Sequence, residues 1–541
     1  MPRTRRTAED FVALGREARE RAGRPIACRE FCDATGVSDA TIRTRFGSWA
    51  AFSQRFQGAP DRPTAAREAK AAAAPKTFHR SERDRREIEG ARRLVVTSAV
   101  SNADVDPGFL AALLHLCDDR QARLVVNPVR YKNPQRREEA ARFAREERWA
   151  PELEPYMLEG EIRPHHQLVL RSTKIQATRA NPLPRSMWAT TKGASAILGH
   201  PQLAMRCVPT PHRKLPGQLY TSGAVTRKDY SDTEAGDRAH FHHSLAAVLV
   251  EICGERFHLR EVTWSPRDQA FIDLGDMYRA SGREDAPRPL ELITGDTHVP
   301  RQCPVVHRAT FGPGGIVERY GPEGVVLHDV GDFPSCNVHE RGKALTAAAR
   351  AARGYCSTVT ADIRAIGAYI EGLPAGLNVT VARSNHDDFL MRWLERGQPE
   401  PENAKLYHGL AYLMLDARER GEAFPNPLAL ALQGSLRRPV RWLDWDESYR
   451  RGDVELGMHG HLGPNGARGS VENLATIGTR SVIGHVHTPA IHQGVYAVGL
   501  SGTYDQGYNH GPSSWLQAHV LLNALGYRQM LAIIEGHHRG T

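Results

Sequence analysis

The chain has little cysteine, no long apolar run and few aromatic residues, and each shortage removes a class of protein. Eight cysteines are scattered through 541 residues with no Cys-x-x-Cys pair among them. That spacing argues against a disulfide framework and a zinc ribbon, and for reduced thiols in a cytoplasm. No apolar stretch approaches the roughly 18 residues of a membrane span, so no membrane partner is expected. Met1-Pro2-Arg3-Thr4-Arg5-Arg6 is basic, but no apolar signal-peptide core follows it. Basic side chains, by contrast, are plentiful: Lys+Arg number 71 against 62 Asp+Glu, for a net charge of +9. Residues 1–90 alone carry 19 basic against 13 acidic side chains. A surplus concentrated in this way favours a polyanionic partner, most simply DNA or another nucleic acid. The bland alternative is an arginine-rich composition inherited from a GC-rich genome. The length allows two to four domains and a large core, and leaves homo-oligomerisation open.

Taken in order, the chain opens with helices. Thr7 caps the first, with Asp10 at capping-box spacing and Phe11, Leu14 and Ala18 on one face. Cys28–Ala34 reads as a second helix ended by Gly36, Ser38 caps a third, and Trp49, Phe52 and Phe56 form the apolar stripe of a fourth. A helix, a glycine turn and a capped helix with Thr41, Arg43 and Arg45 pointing outward make a helix-turn-helix layout, and those three residues are the candidate DNA contacts. Phe46 and Trp49 read as core. Residues 1–57 are therefore expected to be a helical DNA-binding module, and 58–93 a Pro/Ala-rich linker followed by a charged helix. Over 94–289, a strand at Leu94–Val100, a helix at Pro107–Cys117 and a strand at Arg123–Asn127 predict a βαβ unit within an accessory region. Residues 290–541 interleave strands and helices as an α/β sandwich, with an apolar tail, Trp515–Ile534, closing a sheet.

Five strand ends in this last region carry chemistry. Glu291-Leu292-Ile293 runs into Asp296 and His298, and Val325-Val326-Leu327 into His328, Asp329 and Asp332. Leu377–Val381 runs into Ser384-Asn385-His386-Asp387, Val454–Met458 into His459, and Ser481-Val482-Ile483 into His485 and His487. Loops at strand ends are held rigidly while their side chains stay free, which is where α/β folds place reactive groups. The ordered set Asp/His, Asp, Asn/His/Asp, His, His/His resembles the calcineurin-like metallophosphoesterases over about residues 290–500. A second resemblance is carried by Leu94–Asp106, by Thr221-Ser222-Gly223-Ala224-Val225-Thr226 and by Met458-His459-Gly460-His461-Leu462-Gly463-Pro464-Asn465-Gly466. These are similar to the pre-early DNA-degrading proteins of T5-like bacteriophages. Asp39–Phe56, with its Arg-Phe-Gly-Ser-Trp core, resembles a small repeat found beside homing endonucleases.

The first resemblance implies two divalent metal ions, manganese first, with magnesium, iron, zinc or nickel as alternatives. It assigns Asp296, His298, Asp329 and His487 to one ion, and Asn385, His459 and His485 to the other, with Asp329 as the bridge. It leaves His386 over the phosphate and Asp387 to orient its ring. Asp332, which also follows a glycine, is the rival bridge. Two positions depart from the family: Ser384 and His328 stand where glycine is usual, which puts backbone geometry in question. His240, His242 and His243 could be a separate metal site or a hydrogen-bonded edge. The expectation is a metal-dependent DNase, phage-encoded and acting on host DNA in the host cytoplasm. Its alternatives are a phosphoesterase on small molecules or phosphoproteins, and a DNA-binding regulator that keeps the phosphoesterase domain as scaffold.

Overall fold

The computed structural model describes residues 7–57 (without 25), 77–131, 148–184, 188, 191–211, 215–337, 343–352, 354, 358–507 and 509–540. Two compact units divide the chain, Met1–Lys76 and Thr77–Thr541. Residues 58–76, read above as the linker, lie outside the described residues.

The described residues of the first unit form four helices: α1 (Ala8–Ala22), α2 (Cys28–Thr35), α3 (Asp39–Phe46) and α4 (Trp49–Gln57). The Thr7 hydroxyl accepts from Asp10 N at 3.3 Å while the Asp10 carboxylate accepts from Thr7 N, closing the capping box. Gly36 ends α2 at φ 68°, a left-handed turn that glycine adopts without steric cost. Ser38 then caps α3 by accepting from Thr41 N at 3.2 Å. Phe11, Phe31, Ile42, Phe52 and Phe56 form the core, and Phe46 and Trp49 pack against it as expected. Thr41, Arg43 and Arg45 are exposed on α3, with the Arg43 Nε 2.8 Å from an Asp39 carboxylate oxygen.

The second unit is a mixed α/β body. Among its described residues no helix is long and apolar enough to cross a membrane. Strands Arg93–Val100 and Arg123–Val129 pair in parallel around helix Pro107–Arg120, so the expected βαβ unit forms. Antiparallel strands Ala246–Cys253 and Arg256–Thr263 complete that sheet. The helix Glu82–Glu89, assigned above to the linker region, buries Ile88 in the body's core.

Two further sheets position the strand ends. The six-stranded sheet runs Val440–Trp442, Asn378–Val381, Gly324–Leu327, Glu291–Ile293, Ala518–Leu522, Arg528–Ala532. Its first four strands pair in parallel, so their carboxyl ends emerge along one edge. Ile293, Val326, Val520 and Leu522 alternate into a core shared with Leu456, Val482 and Val498 from the facing sheet. Leu292, Val325, Leu327, Val379 and Val381 face the opposite way, against helices that include Val359–Glu371 and Asp388–Glu395. The sequence reading overlooked helix Ala404–Glu419. Its Tyr412, Leu413 and Leu415 point outward, 68%, 40% and 60% exposed, which blurs the apolar stripe that marks an amphipathic helix.

The ten-stranded sheet takes Val454–Glu455, Ser481–Ile483, Val495–Ala497 and Ala490–His492 together with Met205–Val208, Gly217–Thr221, Ser195–Leu198 and Leu168–Arg171. It runs without interruption across the division drawn above at residue 289, so the accessory region and the sandwich share one sheet. His243 is buried, with the Tyr230 hydroxyl 2.7 Å from its Nδ1 and Thr226 O 2.8 Å from its Nε2. His240 is exposed. These histidines form the hydrogen-bonded end of helix Glu234–His242, and they are not a ligand cluster among the described residues.

Candidate metal centre

Backbone hydrogen bonds tie the strand ends together within each sheet and, through Asp296, between the two. Asp296 N donates to Gly499 O at 3.1 Å, His298 N to Asp329 O at 2.7 Å, and Gly484 N to His459 O at 2.8 Å. Four of the presented residues are left-handed without being glycine: His298 (φ 54°), Asp329 (φ 42°), His485 (φ 70°) and His487 (φ 52°). Such backbone costs about 1–3 kcal/mol per residue and persists only where the surroundings hold it, and it clusters at functional sites. Ser384 and His328 are not among the left-handed residues, so their replacement of glycine strains nothing. Glycine is required at Gly484 instead, where a Cβ would lie 2.4 Å from the Asp296 carboxylate.

The side chains converge into two groups that overlap at Asp329, and a third, His298, Asp332 and His386, overlaps the first at His298. Ligand atoms of Asp296, His298, Asp329 and His487 all lie within 4.8 Å of one another, and so do those of Asp329, His459 and His485. In the first group the His487 Nε2 is 2.9 Å from His298 Nε2 and 3.1 Å from Asp296 Oδ2. In the second, His459 Nε2 lies 3.2 Å from Asp329 Oδ2, and Asn385 Oδ1 lies 3.2 Å from His459 Nε2 and 3.0 Å from His485 Nδ1. All seven residues singled out from the strand ends are therefore brought together, and Asp329 belongs to both groups.

These residues fit a hard or borderline divalent cation. Asp296 Oδ1, Asp329 Oδ1 and His487 Nδ1 are buried without a hydrogen-bond partner among the described residues. The convergence of these three side chains at one point leaves a place for a shared partner such as a cation. Burial opposes ionisation of Asp329, but His459, His386 and His298 outweigh it and hold the carboxylate well below its ordinary range. Asp296 is likewise held below that range against its burial, chiefly by His487. Burial pushes the imidazole of His485 down to about 4, which leaves it neutral with a lone pair to give. Two ionised carboxylates with imidazole nitrogens and an amide oxygen form an oxygen/nitrogen set of the kind that holds first-row divalent metals.

The surroundings of His386 correct one expectation. Asp387, expected to orient its ring, instead accepts from Ser384 N at 3.1 Å, and burial raises its carboxyl to about 7. The carboxylate beside His386 is Asp332, whose Oδ1 lies 3.4 Å from His386 Nδ1 and 3.4 Å from His298 Nδ1. Arg301 Nε lies 3.1 Å from the other oxygen of Asp332. Asp332 thus backs one residue from the metal group and one beside it, and it sits in neither overlapping group around Asp329. The sequence did hold a signal for this, an aspartate three residues beyond Asp329, but chain adjacency favoured Asp387. Nothing in the pattern flagged Arg301.

No family model matches the chain, and no solved structure matches it. Among curated proteins it is similar to Protein A1 of Escherichia phage T5, at 29% identity over 468 residues covering 83% of each chain. The chain is thus similar to a T5 phage protein, and its own buried Asp/His cluster could hold a metal ion.

Proposed function

We propose that the protein is a metal-dependent phosphodiester hydrolase acting on DNA, with two divalent ions in one centre. The observation that carries this reading is the position of Asp329, whose carboxylate belongs to two ligand groups at once. A shared carboxylate is how two cations are held at the ~3.5–4 Å that phosphoryl chemistry uses. When bound, the ions would neutralise charge on the phosphate and lower the pKa of water at the site. The remaining work falls to the chain. Asp296, His298, Asp329 and His487 would hold one ion, and Asp329, Asn385, His459 and His485 the other. His386, with Asp332 3.4 Å from its Nδ1, would stand beside the first group as the proton donor to the leaving oxygen. The basic helical unit, with Arg43 and Arg45 exposed, favours a polynucleotide over a small ester, and similarity to a phage protein supports host DNA as the target.

Purified protein incubated with plasmid, linear duplex and single strands should cleave DNA in Mn²⁺, stop in excess EDTA, and recover with Mn²⁺ more readily than with Ca²⁺. Calcium favours oxygen-only sites of higher coordination, whereas this centre offers imidazole nitrogens. Undiminished cleavage in EDTA would sink the reading. Hydrolysis of bis(nitrophenyl) phosphate with no action on any nucleic acid would turn it toward small phosphoesters.

The helical unit has its own test. Arg43→Ala with Arg45→Ala should weaken DNA binding at every sequence alike and lower the salt slope by about 0.9 for each phosphate that the variant no longer neutralises. Hydrolysis of a nitrophenyl phosphodiester should be unchanged. An unaltered salt slope would show that α3 does not hold the DNA backbone.

A further inference from the structure

Strand Gly324–Leu327 runs directly into His328, whose ring belongs to neither ligand group. The side chain is fully buried, and its Nδ1 lies 3.3 Å from the Nδ1 of His459. The two rings are 5.4 Å apart and inclined by 33°. On the far side of His459, Nε2 faces Asp329 Oδ2 and Asn385 Oδ1, each at 3.2 Å. A cation held by Nε2 takes that nitrogen's lone pair, so the proton of the neutral ring has to sit on Nδ1. Across the 3.3 Å gap one nitrogen must donate and the other accept. His459 Nδ1–H is then the donor and His328 Nδ1 the acceptor. The reverse arrangement would place the His459 proton on Nε2 and block it as a ligand.

We propose that His328 is a positioning residue that fixes the tautomer and ring orientation of His459, and through it the half of the metal centre built from Asp329, Asn385, His459 and His485. This inference rests on reading the site as a metal centre. Histidines that bind metals usually give their other N–H to a carboxylate, a backbone carbonyl or water. Here a second imidazole takes that place. The opposite nitrogen of His328, Nε2, is buried with no hydrogen-bond partner among the described residues. An apolar side chain would fill the space without leaving a polar atom unpaired, so the imidazole is accounted for by what its Nδ1 does. Local packing makes room for it: a Cβ at Gly484 would come within 2.9 Å of the His328 side chain.

The test is Mn²⁺ binding to the full-length protein, with metal per chain counted by mass spectrometry across a series of chelator-buffered concentrations. His328→Leu keeps the bulk and removes the acceptor. His328→Asn sets a carbonyl oxygen near the position of Nδ1, and His328→Gln places its amide further out. The wild type should hold two ions. His328→Leu should keep one and bind the second about 10–100-fold more weakly, the usual penalty for losing such a partner. His328→Asn should recover most of that loss, and His328→Gln should behave like Leu. If His328→Leu does not fold, the comparison of Asn with Gln carries the test. Two sites of wild-type affinity in His328→Leu, or equal affinities in Asn and Gln, would overturn the inference and leave the metal centre standing. A wild-type chain that takes up no Mn²⁺ would overturn both.

Discussion

Asp329→Ala should abolish DNA cleavage and strip metal from both halves of the centre. Among the described residues Asp329 alone supplies an atom both to the group of Asp296, His298 and His487 and to that of His459 and His485, so each would lose a ligand in one substitution. Removing one preorganised stabilising donor from an active site typically costs ~10²–10³-fold in rate. Losing the shared carboxylate removes more than one such interaction, so a fall of at least about 10³-fold is expected. Burial opposes ionisation of Asp329, and the three surrounding histidines outweigh it. Asp332→Ala is the control, because Asp332 backs His298 and His386 from outside the groups around Asp329. It should retain measurable metal. If Asp332→Ala empties the centre while Asp329→Ala keeps two tightly bound ions, the bridge has been placed on the wrong aspartate.

The second large effect should separate metal binding from chemistry at His386. Its neighbour Asn385 turns Oδ1 toward His459 and His485, whereas the His386 ring packs 4.7 Å from that of His298 with its Nδ1 toward Asp332. Nδ1 thus lies 3.4 Å from a carboxylate oxygen without a hydrogen bond to it, and Nε2 is the nitrogen proposed to meet a substrate. A positioned general acid contributes ~10²–10⁴-fold, or about 3–5 kcal/mol at the transition state, and nothing to metal affinity. His386→Ala should keep the metal content of the wild type and lose DNA cleavage by that factor. The loss should shrink on a nitrophenyl phosphodiester, whose leaving group departs without a proton. Half-occupied metal in purified His386→Ala would make the histidine a ligand and remove its role as acid.

Much of this molecule can be read along the chain. The caps of α1 and α3, the βαβ unit at 93–129 and the apolar strands that end in Asp296, Asp329, Asn385, His459 and His485 depend on local patterns, which sequence records directly. The strand ends were legible because each follows a short, largely apolar run, and the assignment of ligands among them is what the resemblance of the ordered set implies. Helix Ala404–Glu419 escaped because its exposed apolar residues broke that periodicity. Contacts between distant segments could not be read in this way. Strands from residues 168–221 and 454–497 complete one sheet, and no local signal states which strands will be neighbours.

The sequence by itself determined which candidate side chains stand at which strand ends, because residue type and alternation are properties of short stretches. Only the tertiary structure decided how those side chains are paired. It gave His386 to Asp332, 54 residues away, and turned the adjacent Asp387 back onto Ser384 N. It set His328 against His459 across two sheets, and it gave Asp329 a place in both ligand groups. Hydrogen bonds and metal ligation depend on distances of about 3 Å and on direction. Those are fixed by how the sheets pack, and separation along the chain does not predict them.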